Sequence, residues 1–433
     1  MIPSTHNQAA DATFSILPCK SKTDRQLFET IPELLHAKEP HFTPPFPGSV
    51  VKLIEPEGAF CKQHGSIVPL IIFRHEPLSK FAAGDTVLGA SGAQRLSVQE
   101  VLDGASTGAT TQCASAVEFG KRFNGKPVGR IAAIINRSHN SYNKDRVGFF
   151  GFFDFINDPA VARALVEAAA KIVQQEGMTS LRGPYNPSIN DDCGVLTEGF
   201  HAPSFVSMPW NPPYYESLYK QAGLESVRKL YAWMIPLQRE TPERVNKIVQ
   251  RLYKRAKVTI RTLDMKNLKK EMEIIHRLYN RTLDRNWGFY PIALDDLLHA
   301  ADDLKAIADP GLILFACAEG REVAFSLSLP NVNELFHAAR GRKGILRFLE
   351  MALRIQFQRP KDARLCVLGV DPEYRDKGLS ALLFYEVFVR KKAKYERSEV
   401  SWVEANNTEI LEGAELMGGH RDRTYQIFEK NLV

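Results

Sequence analysis

The chain has 433 residues, 44% hydrophobic and 24% charged, which gives two or three ordinary globular domains and excludes disordered and fibrous classes. Its 56 Lys and Arg exceed its 50 Asp and Glu by 6. That mild basic bias suits anionic ligands or lipid headgroups, and the scattered cations lack the dense stripe that nucleic acid requires. Six cysteines, at 19, 61, 113, 193, 317 and 366, form no CxxC pair, which argues against a metal site or a disulfide framework and for a reducing cytosol. The N-terminus has no basic flank and apolar run of a signal peptide, and no window reaches the ~20 apolar residues of a membrane span, so a cytoplasmic protein is expected that meets any membrane peripherally, at its inner surface.

In chain order, TFSILP (13–18) reads as a strand and DRQLFETIPELLH (24–36) as a helix with apolar residues at helical spacing. IVPLIIFRHE (67–76) and KPVGRIAAIIN (126–136) look like hairpin partners separated by far more chain than a hairpin needs. The intervening Ala-, Ser-, Gly- and Thr-rich stretch, about 77–123, reads as a flexible insertion. VGFFGFFDFIND (147–158) is a buried strand, Asp158-Pro159 starts a helix, TSLRGPYN is a further strand, and a Pro- and Asn-rich segment runs from 184 to 213. A short helix closing at Gly223 and the strand RKLYAWMIP end the first domain near 238.

The second domain, 239–433, opens on a helix, the strand VTIRTLD (258–264) and a helix KKEMEIIHRLYNRTLDRN. Then follow the strand pair around Gly320, a helix at 345–357, the strand RLCVLGVDPEY (364–374), a helix after Gly378, the strand EVSWVEA (399–405), a helix from Asn407 to Met417 and the strand TYQIFEKNL. Both halves close with strand, helix, strand, short helix ending in Gly, and a final strand; Tyr231 lies eight residues after Gly223 and Tyr425 seven after Gly418. A tandem repeat explains that order.

The sharpest chemical feature is VLGVDPEYRDKGLSALL: a buried strand, a turn carrying Arg375, Asp376, Lys377, Gly378, Leu379 and Ser380, then an amphipathic helix. Such a turn presents unpaired N–H groups at the positive end of a helix, where phosphate binds; Gly378 permits close approach and Arg375 and Lys377 add charge. The order of elements over 258–433 resembles the GNAT family of acyl-CoA N-acyltransferases, whose signature is Gln/Arg-x-x-Gly-x-Gly/Ala. Arg375 and Gly378 match and Ser380 departs from the small residue. The resemblance implies an α/β (α+β) fold of two tandem GNAT-like domains, each a mixed, mostly antiparallel sheet flanked by helices. It further implies that this turn, with Leu368, Val370 and Asn407, binds an acyl-CoA co-substrate, the loop gripping its pyrophosphate and the splayed strands beyond admitting the thioester, with no metal. The corresponding turn of the first half, DFINDPAVA, has two acids and no Arg-x-x-Gly, so only the second copy is expected to bind coenzyme A. Glutamate at 378 is expected to abolish that binding and spare the fold.

GRIAAIINRSHN, VGFFGFF, GPYNPSINDDCGVLTEGF, MPWNPPYYESLYKQAG and NWGF are similar to a bacterial tandem-GNAT family associated with ceramide synthesis; the similarity departs at the insertion and at Asp192, where Glu is expected. It implies a long-chain acyl-CoA donor and a sphingoid base as amine acceptor. Attack of an amine on a thioester needs a base and donors for the developing oxyanion. Two sources of the base stay open: Glu404, which alternation puts on one strand face with Trp402, and Asn190-Asp191-Asp192, whose neighbouring carboxylates raise one another's pKa or simply tie down an irregular loop. The Tyr acid of many GNAT members, four residues before the closing Gly, is replaced by Ala414. Trp210 and Tyr214 in a rigid Pro-rich loop, and Asn286, Trp287 and Phe289 in the second half, are candidates for the acceptor wall. The rival readings are acetylation of a small polar amine and a silent acyl-CoA or lipid binder.

Overall fold

The computed structural model describes residues 14–74 and 125–433 except 306 and 343, together with residue 117 and a short hairpin of β3 (Thr86–Leu88) with β4 (Arg95–Ser97). Beyond that hairpin and residue 117, the insertion expected at 77–123 lies outside the described residues.

The first half contributes β1 (Phe14–Pro18), β2 (Gly65–Arg74), β5 (Lys126–Asn136), β6 (Val147–Phe155), β7 (Ser180–Gly183), three short strands β8 (Tyr185–Asn186), β9 (Asp192–Cys193) and β10 (Val195–Glu198), and β11 (Glu225–Pro236). The second contributes β12 (Thr259–Thr262), β13 (Ile313–Ala318), β14 (Arg321–Pro330), β15 (Asp362–Val370), β16 (Arg397–Glu404) and β17 (His420–Asn431). In each half an antiparallel series ends in one parallel pair, β6 with β7 and β15 with β16, as the tandem reading expects. The widely separated β2 and β5 do pair antiparallel, from Gly65 opposite Asn136 to Arg74 opposite Lys126.

The halves do not form separate sheets. Among the described residues one sheet of 13 strands runs β1-β2-β5-β6-β7-β17-β11-β16-β15-β14-β13-β12, with β10 alongside β17. The last strand of each half has crossed into the other: β17 pairs with β7 of the first half, and β11 pairs with β16 of the second. The two exchanged strands pair with each other, Leu230 opposite Tyr425 and Tyr231 opposite Thr424, so the repeat-related tyrosines lie one register step apart. Tyr425, Phe428, Ile427, Leu230 and Ala232 are all buried, which removes the edges that two separate sheets would expose.

Helices cover both faces. Ser21 and Asp24 form a capping box on the helix Lys22–His36. Helix Pro159–Gln175 buries Val161, Leu165, Ala169 and Val173 at helical spacing, and helix Leu379–Lys392 buries Leu379, Leu382, Leu383 and Val387. A helix at Leu294–Leu304 and a six-residue one at Asn333–Ala338 are absent from the sequence reading, although the first carries Leu294, Leu297, Leu298, Ala301 and Leu304 at helical spacing. No helix among the described residues is long and apolar enough to cross a membrane.

Because each half is completed by a strand of the other, residues 1–238 and 239–433 expressed apart are each expected to aggregate, and co-expressed to co-elute as one folded species in size-exclusion chromatography.

Candidate active site

Two places in the sheet invite a ligand, where the parallel pairs part. β15 and β16 pair only from Asp362 to Leu365 and from Arg397 to Val400. Beyond Leu365, β15 keeps β14 and β16 keeps β11, so a V-shaped gap opens whose facing main-chain groups have no strand partner. At its mouth, Pro372–Lys377 makes a short 3-10 turn, Gly378 takes φ +74°, and helix Leu379–Lys392 begins without a side-chain cap. The first intrahelical donor is Leu382 N–H to the Gly378 carbonyl; the N–H groups before it are left for an anion.

Arg375 lies at this mouth. One nitrogen, Nη2, donates to the Thr282 carbonyl (3.1 Å) and to Asp284 (2.9 Å), while Nη1 is buried with no partner. A buried guanidinium nitrogen without a partner, beside an uncapped helix start, fits a phosphate group. Asp376, Ser380, Leu368, Val370 and Asn407 line the same cavity. Two expected contributors point elsewhere. Lys377 stacks its ammonium 3.8 Å from the Tyr374 ring centre, away from the cavity lining, and the Leu379 side chain is in the core. The Ser380 hydroxyl donates to Glu409, so it does not cap its own helix.

The equivalent gap of the first half is filled by the chain itself. β6 and β7 pair over three residues, and beyond them β8 packs in: Phe152 N–H donates to Asn186 Oδ1 (2.6 Å), and a Cβ on Gly151 would stand 1.6 Å from the Tyr185 carbonyl oxygen. The helix start that corresponds to the phosphate turn is capped by Asp158, which accepts from Ala160 N–H (2.9 Å) and pairs with Arg74. A carboxylate there repels a pyrophosphate.

The open gap leads into a cavity of about 1190 Å³ lined by both halves, above the roughly 300–1,000 Å³ usual for small-molecule sites. Asn190, Asp191 and Asp192 from the first half and Glu404 from the second face it together. Asp191 Oδ2 accepts from the Ser188 hydroxyl (2.6 Å) and N–H (3.2 Å), and burial pushes its carboxyl up to about 7. Burial raises Asp192 too, opposed by the positive charge of Arg364. Cys193 is buried, and the same burial and acids push its thiol up, which leaves it a poor nucleophile. Asn190 Oδ1 accepts from the Tyr279 hydroxyl (2.6 Å). The two readings of this loop therefore meet in one residue: the Asp191 carboxylate ties the loop by accepting from Ser188, and the same residue lines the cavity. Glu404 Oε1 accepts from Trp287 N–H (3.0 Å), and the Trp287 ring lies between the guanidinium groups of Arg182 (4.9 Å) and Arg228 (5.0 Å).

Asn286, Trp287, Phe289, Trp402 and Trp210 all line the cavity. Tyr214 does not: its hydroxyl donates to the Phe155 carbonyl (2.7 Å), and the neighbouring Tyr215 reaches the wall instead. Ala414 is fully buried in the core. Sequence reasoning missed Arg364, whose buried guanidinium is held by the carbonyls of Val206 (2.8 Å), Ser207 (3.0 Å) and Ser401 (3.1 Å) and by the Ser401 hydroxyl (2.8 Å). The available signal was a charged residue inside an apolar strand. It also missed the wall of Phe42, Pro44, Pro45, Phe46, Val50 and Leu53, which reads as an ordinary loop and short helix.

No family model matches the sequence. The chain is 31% identical over 317 residues to protein YghO of Escherichia coli K12, covering 71% of this chain and 80% of that one. It is 30% identical over 317 residues to the bacterial ceramide synthase of Caulobacter vibrioides, covering 71% and 82%. The chain belongs to the bacterial ceramide synthase family. Its fold is that of tandem GNAT proteins. A tandem GNAT protein from the clavulanic acid biosynthesis pathway superposes with a TM-score of 0.51 at 10% identity, over 97% of this chain and 99% of that one. A GCN5-related glucosamine N-acetyltransferase region of a fungal multi-domain GH3 β-N-acetylglucosaminidase superposes with a TM-score of 0.54 at 13% identity, over 99% of this chain but 39% of that one.

In this member of the ceramide synthase family, Gly378 carries a conformational load that changes the expected outcome of mutation. At φ +74° any side chain strains the turn, so glutamate at 378 is expected to cost stability as well as to place a negative charge there. Gly378→Ala is expected to lower stability by about 1–2 kcal/mol in urea unfolding, whether or not a ligand is added.

Proposed function

We propose that this chain is an acyl-CoA-dependent N-acyltransferase that moves a long-chain acyl group to the primary amine of a sphingoid base. The observation that carries this reading is the single cavity that starts at the Arg375 turn, passes between the parted β15 and β16, meets the desolvated carboxylates and ends against the aromatic and proline wall of the first half. Coenzyme A is the acyl carrier, its pyrophosphate held by the start of helix Leu379–Lys392 and by Arg375 Nη1. The thioester carbonyl lies in the open gap, where unpaired main-chain donors of β15 meet the charge that develops on its oxygen.

Asp191 is the general base. With its carboxyl pushed up to about 7, it takes a proton from the attacking amine near neutral pH, where a base is most effective. The C–N bond forms as the C–S bond breaks, and the proton is returned to the leaving sulfur by the same carboxyl or by water. The positive charge of Arg364 opposes the upward shift of Asp192. Glu404 is a positioning residue: its carboxylate accepts from Trp287 N–H and holds that wall residue in place. The apolar wall of Phe42, Phe46, Val50 and Leu53 supports a long-chain partner over a small polar amine, and both such partners are met at a membrane surface by a peripheral protein.

Free-thiol release from acyl-CoAs of increasing length, with and without sphinganine, tests the reading: release that needs both palmitoyl-CoA and sphinganine supports it, and release with acetyl-CoA and a polar amine alone refutes it. Asp191→Asn is expected to lower kcat by about 10²–10⁴-fold. Activity requires the deprotonated acid, so the wild-type rate should rise with pH through about 7 and the variant should lose that limb. Arg375→Ala is expected to raise KM for acyl-CoA by about tenfold to a hundredfold, the worth of one charge-assisted hydrogen bond, with circular dichroism unchanged.

A further inference from the structure

The helix Gly344–Phe357 presents its apolar side to solvent. Leu346, Leu349, Leu353 and Phe357 follow at spacings of three, four and four, on one face, and are 61%, 50%, 58% and 78% exposed. The opposite face carries Met351, which is fully buried, and Arg347, whose Nη2 donates to Glu33 of the first half (2.7 Å). A helix that holds its polar contacts inward and four large apolar side chains outward is the reverse of an ordinary surface helix.

The charge around this face is concentrated in the same way. Residues 340–361 hold seven Lys and Arg and one Glu, a net of +6 that equals the net charge of the whole chain. Arg340, Arg342, Arg359 and Lys361 are exposed around the apolar stripe. The helix also adjoins the cavity: the ring of Phe348, on another side of the helix from the stripe, lies 5.8 Å from that of Phe46, which lies 5.8 Å from Phe336, and both Phe46 and Phe336 line the cavity.

We propose that the helix Gly344–Phe357 is an interfacial membrane helix that seats the protein on an anionic phospholipid surface, with the Phe46 end of the cavity opening at that surface so that a lipid-chain substrate enters from the bilayer. The outward leucines and Phe357 enter the headgroup and acyl boundary, and the ring of arginines and lysines meets lipid phosphates. An acidic protein partner needs the cations but gains little from four exposed apolar side chains, and a second copy of this chain brings the same +6 against itself. The entry route rests on the reading of the cavity as a lipid-chain site; the seating does not.

The test is co-sedimentation with vesicles of phosphatidylglycerol and phosphatidylcholine in equal parts, compared with phosphatidylcholine alone and repeated at high salt. The wild-type protein is expected to bind the anionic vesicles, to bind neutral ones weakly, and to lose binding as salt rises. The double variant Leu349→Asp, Leu353→Asp, altered only at exposed positions, is expected to bind at least about tenfold more weakly with an unchanged melting temperature; Phe357→Asp serves as a second variant should the first fail to fold. No binding by the wild type, binding unaffected by the leucine change, or a wild-type dimer that the double variant turns into monomer each overturns the seating. Failure of the acyl-transfer reading leaves vesicle binding intact. The entry route is read separately, as loss of turnover on vesicle-borne sphinganine with turnover on a soluble short-chain amine retained, and equal loss of both overturns it.

Discussion

The pairing of β17 with β11 is the constraint on which the rest of the molecule depends. It joins two repeats that would otherwise each end in an unsatisfied edge, and it does so by sending each final strand into the other sheet. Backbone groups buried at that seam are paired on both sides, and Tyr425, Phe428 and Leu230 are sealed beneath helices. The exchange also sets the site. Glu404 stands opposite Leu230 of β11, and β10, which follows directly on the loop carrying Asp191 and Asp192, pairs with β17. Carboxylates more than 200 residues apart in the chain therefore face one cavity because two strands changed places.

Electrostatics divides that cavity along its length. The uncapped start of helix Leu379–Lys392 and the unpartnered Arg375 Nη1 give one end a positive potential suited to phosphate. In the middle, desolvation holds Asp191 and Asp192 near or above their usual range, and the cost of keeping Arg364 buried beside them is offset by three main-chain carbonyls and a serine hydroxyl. Elsewhere the wall of Phe42, Pro44, Pro45, Phe46, Val50 and Leu53 is mostly apolar, with Thr43 and Ser49 among them. The proposed transfer uses this gradient for a charged carrier, a proton transfer and an apolar chain.

The two repeats have parted in function by simple means. Both retain the parallel pair that opens a gap in the sheet. In the first, Tyr185 and Asn186 enter the gap against Gly151, and Asp158 caps the helix that would have held an anion. In the second, the helix that starts at Gly378 has no side-chain cap and no segment among the described residues enters the gap. The residues that no longer shape a pocket in the first half instead bring Asp191 and Asp192 to the pocket of the second.

By itself the sequence determined the alternation of strands and helices, the repeat, and the glycine-containing, cation-bearing turn at Arg375–Ser380. Each of these rests on local chemistry: side-chain period, the conformational freedom of glycine, and the charge of neighbouring residues. Helix Asn333–Ala338 is six residues long, too short to show a period; helix Leu294–Leu304 was legible in its leucine spacing though not read from it; and Tyr214 was chosen over Tyr215 because a loop does not declare which of two adjacent rings turns inward. Only the tertiary structure decided that the terminal strands exchange, that Lys377 folds back onto Tyr374 while Arg364 faces Asp192, and that Glu404 is tied to Trp287 while Asp191 is desolvated. Those outcomes depend on contacts between segments distant in sequence, where burial and the position of a single opposite charge set what each group can do.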